Sequence, residues 1–168
     1  MITVEYVRMM AKYNSEMNRR IYADASILTD AQRRADLGLF WKSLHGTLNH
    51  LLWGDRQWMS RLDDWPPNIH SIAQSLVLIH DFDELCEERW KADAKIEALA
   101  QRIDNEWLNE DLIWLSGATG GEMRLGKRVL MVHFFNHQTH HRGQAHAALT
   151  MNELKPKDTD LLLVVKDL

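Results

Sequence analysis

The chain has a single cysteine, Cys86, in 168 residues, which excludes an intrachain disulfide and a thiolate zinc finger alike. Its place between Leu85 and Glu87, in a helical pattern, suits a half-buried thiol rather than a nucleophile. No apolar run approaches the length of a membrane-spanning helix, and Met1–Tyr6 shows no basic segment followed by an apolar core. The expectation is a cytoplasmic protein that is neither exported nor membrane-bound. Basic stripes are missing too: 20 Lys and Arg against 24 Asp and Glu give a net charge of -4, with no cluster that could track phosphates, so nucleic acid is not an expected partner. Internal repeats and low-complexity tracts are also absent, and an apolar share of 45% is enough for one core, so a single domain over residues 1–168 is expected.

The chain is rich in helical periodicity. Tyr6, Met10, Tyr13, Met17 and Ile21 recur at steps of three and four, predicting a first helix between Thr3 and Leu28. A polar stretch ending at Gly38 separates it from a second stripe, Trp41, Leu44, Leu48, Leu51, Asp55, Trp58 and Leu62, which must stop before Pro66-Pro67. From about Ser75 to Ile103 a third helix is predicted, with Ile79, Phe82, Cys86, Trp90, Ile96, Ala100 and Ile103 inward. Asp111–Ser116 and Glu122–Gly126 flank the glycine-rich turn Gly117–Gly121 and predict a β-hairpin. A fourth helix, Lys127 to Met151, carries Leu130, Phe134, His137, His141, Ala145 and Ala148 on one stripe. The short apolar end Leu161–Val165, in a tail over 152–168, is expected to pack on the domain or on a partner subunit. The fold class is therefore all-α: an antiparallel four-helix bundle with a small β-hairpin before the last long helix.

Four of the nine histidines, His133, His137, His140 and His141, fall within nine residues of the fourth helix. His137 and His141 are one turn apart on one face, about 6 Å along the axis, so both imidazoles can reach one ion. A functional site needs a further ligand from a neighbouring helix, and His45 and His50 on the second helix are both candidates. Ser43, Gly46, Thr47 and Gly54 beside His50 leave room for a helix, an ion or a substrate to approach. His50 nevertheless lies roughly 140° from the centre of the Leu44/Leu48/Leu51 stripe, so either this helix is buried on two sides or the site lies at a margin of the bundle.

The block His50-Leu-Leu-Trp-Gly-Asp55-Arg-Gln-Trp58, followed downstream by Asn136-His137-Gln-Thr-His-His141-Arg142-Gly143-Gln144, resembles the DinB (damage-inducible) family and its YfiT-like metalloenzyme relatives. The order and spacing extend from the first helix to the fourth. The resemblance implies a helical bundle with a three-histidine metal site at His50, His137 and His141, which selects His50 over His45. With the apolar tail, it also implies a homodimer. Relatives with known activities imply a thiol-dependent transfer or isomerisation with a low-molecular-weight thiol, or a hydrolase-like reaction on a small-molecule substrate. Three imidazoles leave a coordination position open and suit zinc, nickel, iron, copper or manganese. The other reading is a non-catalytic, metal-binding stress-response protein whose ion is structural and whose site a fourth ligand such as His133 would close.

Two further patterns are missing. Gln138 follows His137, so the glutamate that serves a zinc protease as general base in HExxH is absent, and no Glu-x-x-His pair supports a carboxylate-bridged di-iron centre. His133 and His140 are expected beside the site or in solvent. Arg142 is expected to be solvated at the surface, with an anion near the ion as its alternative role. Asp55 either orients an imidazole or is simply paired on its stripe, and Gly143 is expected where the fourth helix passes a neighbour closely.

Overall fold

The computed structural model describes residues 2–117 and 119–165; Ala118, at the tip of the expected turn, and residues 166–168 of the tail lie outside them. The chain is mostly helical, with one two-stranded antiparallel sheet. Four long helices, α1 (Val4–Ile27), α3 (Leu44–Leu62), α4 (Phe82–Arg102) and α6 (Lys127–Met151), alternate with three short ones, α2 (Asp30–Arg34), α5 (Asn105–Asn109) and α7 (Leu161–Val164). A 3-10 turn, Ile72–Val77, precedes α4, and the strands β1 (Asp111–Ser116) and β2 (Gly121–Gly126) precede α6. Each long helix packs on two others: α1 on α4 and α6, α3 on α6 and α4.

Local chemistry sets the boundaries. Thr3 and Ser43 cap α1 and α3, accepting hydrogen bonds from Tyr6 N at 3.3 Å and Gly46 N at 3.0 Å. The third helix starts later than the apolar spacing predicts. Ser75–Val77 belong to the 3-10 turn, and α4 begins at Phe82 because the Asp81 carboxylate accepts from Glu84 N at 2.9 Å. Likewise Trp41 precedes α3 rather than opening it: the chain reverses through Gly38 (φ +70°) and Lys42 (φ 67°), with Leu37 N donating to Lys42 O at 2.8 Å. The hairpin pairs Asp111 with Gly126 and Ser116 with Gly121; β1 packs on α3 and β2 on α6. The tail docks on α1, where the Tyr13 hydroxyl donates to Thr159 O at 2.5 Å and Val164 is buried.

The apolar core falls into two clusters. One gathers Val7, Met10 and Met17 of α1 with Met59, Ile96, Leu99, Phe134 and Phe135; the other gathers Ile21, Tyr22 and Ala25 with Leu44, Leu48, Leu52, Leu85, Ala145 and Leu149. Between them, at the same height on all four long helices, lies a buried polar layer: Asn14 and Asn18 on α1, Asp55 on α3, Arg89 and Asp93 on α4, Gln138 and Arg142 on α6.

Candidate metal centre

Helix α3 is buried all round over its first two turns, from Leu44 to Leu52. The 3-10 turn covers the side that the apolar stripe leaves bare, which resolves the wheel angle of His50: the helix is buried on two sides. His50 (2% exposed) points from that side toward α6, where His137 is half-buried and His141 is 7% exposed. The three side chains offer ligand atoms within 4.8 Å of one another. His50 Nε2 stands 3.3 Å from His137 Nε2. Two nitrogens bound at about 2.0–2.1 Å to one tetrahedral ion are separated by about 3.3 Å, so this pair already has the spacing of co-ligands.

Neighbours orient the rings. His141 Nδ1 donates to Gln144 Oε1 at 2.7 Å, which leaves its Nε2 lone pair facing the shared space, and His50 Nδ1 is hydrogen-bonded to Ser75 Oγ at 2.9 Å, which leaves His50 Nε2 on the same side. Trp41 stacks on His50 with ring centres 3.7 Å apart and an interplanar angle of 19°, and Trp53 lies nearly parallel at 5.5 Å. Gly54 makes room for His137: a Cβ at this position would stand 2.7 Å from His137 Cε1. Burial, reinforced by the neighbouring imidazoles, pushes His50 down to about 3 and His137 down to about 4; His141 is lowered as well, mainly by burial. At neutral pH all three rings are uncharged, the form that ligates a cation.

Residues 1–164 match the DinB family. The chain belongs to the DinB family. No curated protein and no solved structure gives a significant match. Since the match covers nearly all of this DinB chain, both histidine-bearing helices fall inside it.

The structure separates the remaining candidates. His45 turns from the cluster and its Nε2 pairs with Ile79 O at 3.0 Å, a buried structural contact. His133 packs on Trp58, ring centres 5.0 Å apart, and is not part of the three-histidine group. His140 is exposed and meets the Gln144 amide at 3.4 Å. Asp55 does not face the imidazoles. It is fully buried and ion-paired to Arg89 at 2.5 Å, with the Gln138 amide donating to its other oxygen. Gln138, where a zinc protease has its glutamate, therefore points into the core. Burial raises the Asp55 carboxyl to about 6 against the pull of Arg89.

Three expectations need correction. Arg142 is not solvated: it is 5% exposed and donates to the Asn14 side chain, because α1 closes over that face of α6. Gly143 marks no close helix crossing, since a Cβ there would meet nothing within 4 Å. Trp90 is not a core residue of α4; it is 40% exposed, against Tyr22, and Arg89 points inward instead. Sequence reasoning missed Ser75, Gln144, Trp41 and Arg89. Gln144 follows His141 by three positions, within helical reach, whereas Ser75 gives no local signal because it meets His50 from 25 positions away.

Proposed function

We propose that this DinB chain is a metal-dependent enzyme holding one divalent transition-metal ion through His50, His137 and His141. Convergence of three neutral imidazoles from two facing helices, two of them oriented by Ser75 and Gln144, carries this reading. His133 stands outside the group, which favours a coordination position left to water or substrate over a site closed by a fourth protein ligand. When bound, such an ion acidifies a water or a thiol toward neutral pH and polarises a carbonyl. Ser75 and Gln144 hold the His50 and His141 rings in orientation, and the indoles of Trp41 and Trp53 shield His50 from water.

The chemistry that fits is transfer of a low-molecular-weight thiol to a small-molecule substrate, or hydrolysis. Cys86 is not the sulfur nucleophile: it is half-buried on α4, and burial pushes its thiol up to about 11. The ring of contacts among α1, α3, α4 and α6 supports an antiparallel four-helix bundle, and the reading extends to one domain and a homodimer. No helix among the described residues is long and apolar enough to cross a membrane. The non-catalytic alternative draws on one observation: the histidines bridge α3 and α6 in a largely buried setting, so an ion would also tie those helices together.

Elemental analysis of untagged protein, wild type against His50→Ala, is the deciding experiment. One ion per chain that disappears in the variant is expected. No stoichiometric metal after reconstitution with zinc, nickel, iron and manganese would sink the proposal. Given a metal, turnover of thiol-dependent or hydrolytic substrates separates the enzyme from the structural alternative.

A further inference from the structure

A cavity lies on the α1 side of α6, separate from the three histidines. It has a volume of about 180 Å³, and Tyr13, Thr139, Arg142, Gly143, His146 and Thr159 are among its lining residues. Thr139, Arg142, Gly143 and His146 follow one another at steps of three, one and three, and so share one face of α6. Thr159 brings in the tail, tied there by the Tyr13 hydroxyl. Gly143 keeps the space open, since nothing lies within 4 Å of where its Cβ would be.

The charge distribution around this cavity is lopsided. The polar layer contains two guanidinium and two carboxylate groups, yet both carboxylates serve Arg89, Asp55 at 2.5 Å and Asp93 at 2.9 Å. Arg142 has no carboxylate within 4 Å among the described residues. Its hydrogen-bond partners are the Asn14 amide oxygen and, at 3.4 Å, Thr139 Oγ1, which use two of its five N–H donors, and its guanidinium carbon lies 5.6 Å from the centre of the Tyr13 ring. No acidic side chain lines the cavity. A buried guanidinium without a counter-ion is costly, and a forked donor opening on a cavity is the usual means of holding a planar or tetrahedral oxyanion.

The geometry points to a second binding site in this cavity, for a small oxyanion: a carboxylate or a phosphate-sized group, free or at the end of a small molecule. Arg142 supplies the charge, the Thr139 hydroxyl and the His146 ring supply further hydrogen bonds, and Tyr13 with Thr159 forms the wall. The site stands independently of the metal reading, because Arg142 reaches toward α1 while His141 reaches toward His50.

Calorimetric titration of the full chain in phosphate-free buffer, with inorganic phosphate and separately with acetate, tests the proposal. Saturable binding at one site per chain is expected for at least one of the two anions; the tighter one identifies the headgroup class. Loss of a charge-assisted bond in Arg142→Gln should weaken binding by about tenfold or more. Because that variant also alters the buried layer, Gly143→Leu is the decisive companion: it keeps the guanidinium and fills the cavity, so binding should vanish with an unchanged circular dichroism spectrum. His137→Ala should bind the anion as wild type does. No saturable binding of either anion overturns the proposal. So does unchanged affinity in Gly143→Leu, or loss of binding in His137→Ala, which would move the anion to the histidines.

Discussion

Ser75 and Gln144 each occupy one ring nitrogen of a histidine and so fix which nitrogen faces the shared space. Removing such an orienting partner typically costs about 10–100-fold in metal affinity, and Ser75→Ala should fall in that range by competition against a chromophoric chelator, with helix content unchanged. Gly54→Ala separates site geometry from stability. Alanine favours a helix over glycine by about 1 kcal/mol, yet its methyl would intrude on His137 at 2.7 Å. The variant should bind metal more weakly without losing helicity, and equal or tighter binding would show that the Gly54 contact does not set the position of the His137 ring. Protonation acts at the same scale. His50 and His137 are lowered from 6.5 to about 3 and about 4, so between those values the unfolded chain binds more protons than the folded one. In chelator-treated protein this histidine contribution should be complete above pH 6.5 and be lost as pH falls toward 4 and then 3, opposed in part by Asp55, whose carboxyl, raised by burial to about 6, takes up a proton in the folded chain first. Urea midpoints of wild type and of His50→Asn across that range check the sign: the wild type should lose more stability than the variant as pH falls.

Among the elements, the long helices were legible because their apolar positions recur at helical spacing, and α6 was bounded correctly at both Lys127 and Met151. The pattern failed where another rule set the boundary. Ile79 continues the apolar spacing of α4, but the Asp81 carboxylate starts the helix by taking up a free N–H, a signal carried by Asp81 and Glu84 rather than by hydrophobicity. Asp81→Ala should cost about 1 kcal/mol, readable as a lower thermal midpoint. Helix α3 shows the second limit. Its wheel displays one apolar stripe, while the face away from it carries His45, Asn49 and His50 and has no apolar pattern to show whether it is buried. That face is buried by polar contacts with distant segments: Ile79 N donates to Asn49 Oδ1 at 2.7 Å and His50 meets Ser75. Periodicity reports apolar burial and is blind to polar burial, so the resemblance, not the wheel, selected His50.

For the molecule as a whole, the same blindness hid the layer between the two apolar clusters. Arg89 reads as one more charge on the outer face of α4, yet it is fully buried between Asp55 and Asp93, with Asn18 donating to Asp93 at 2.9 Å. Replacing Arg89 with Met would leave two carboxylates buried without their cation, a loss of about 3–5 kcal/mol by equilibrium urea unfolding. Replacing Arg89, Asp55 and Asp93 together with apolar residues should recover much of it, which a triple variant would show. The layer also works as a ruler. Sliding α6 by one turn, about 5.4 Å, would carry Gln138 and Arg142 off Asp55 and Asn14 and set them against the leucines and methionines of α3 and α1. The same slip would bring His133 or His141 to the place of His137 opposite Gly54. Four helices joined only by interchangeable apolar contacts could settle in either alignment; the charged layer makes one alignment far lower in energy than its neighbours, and the histidines on α3 and α6 come into opposition only in that one.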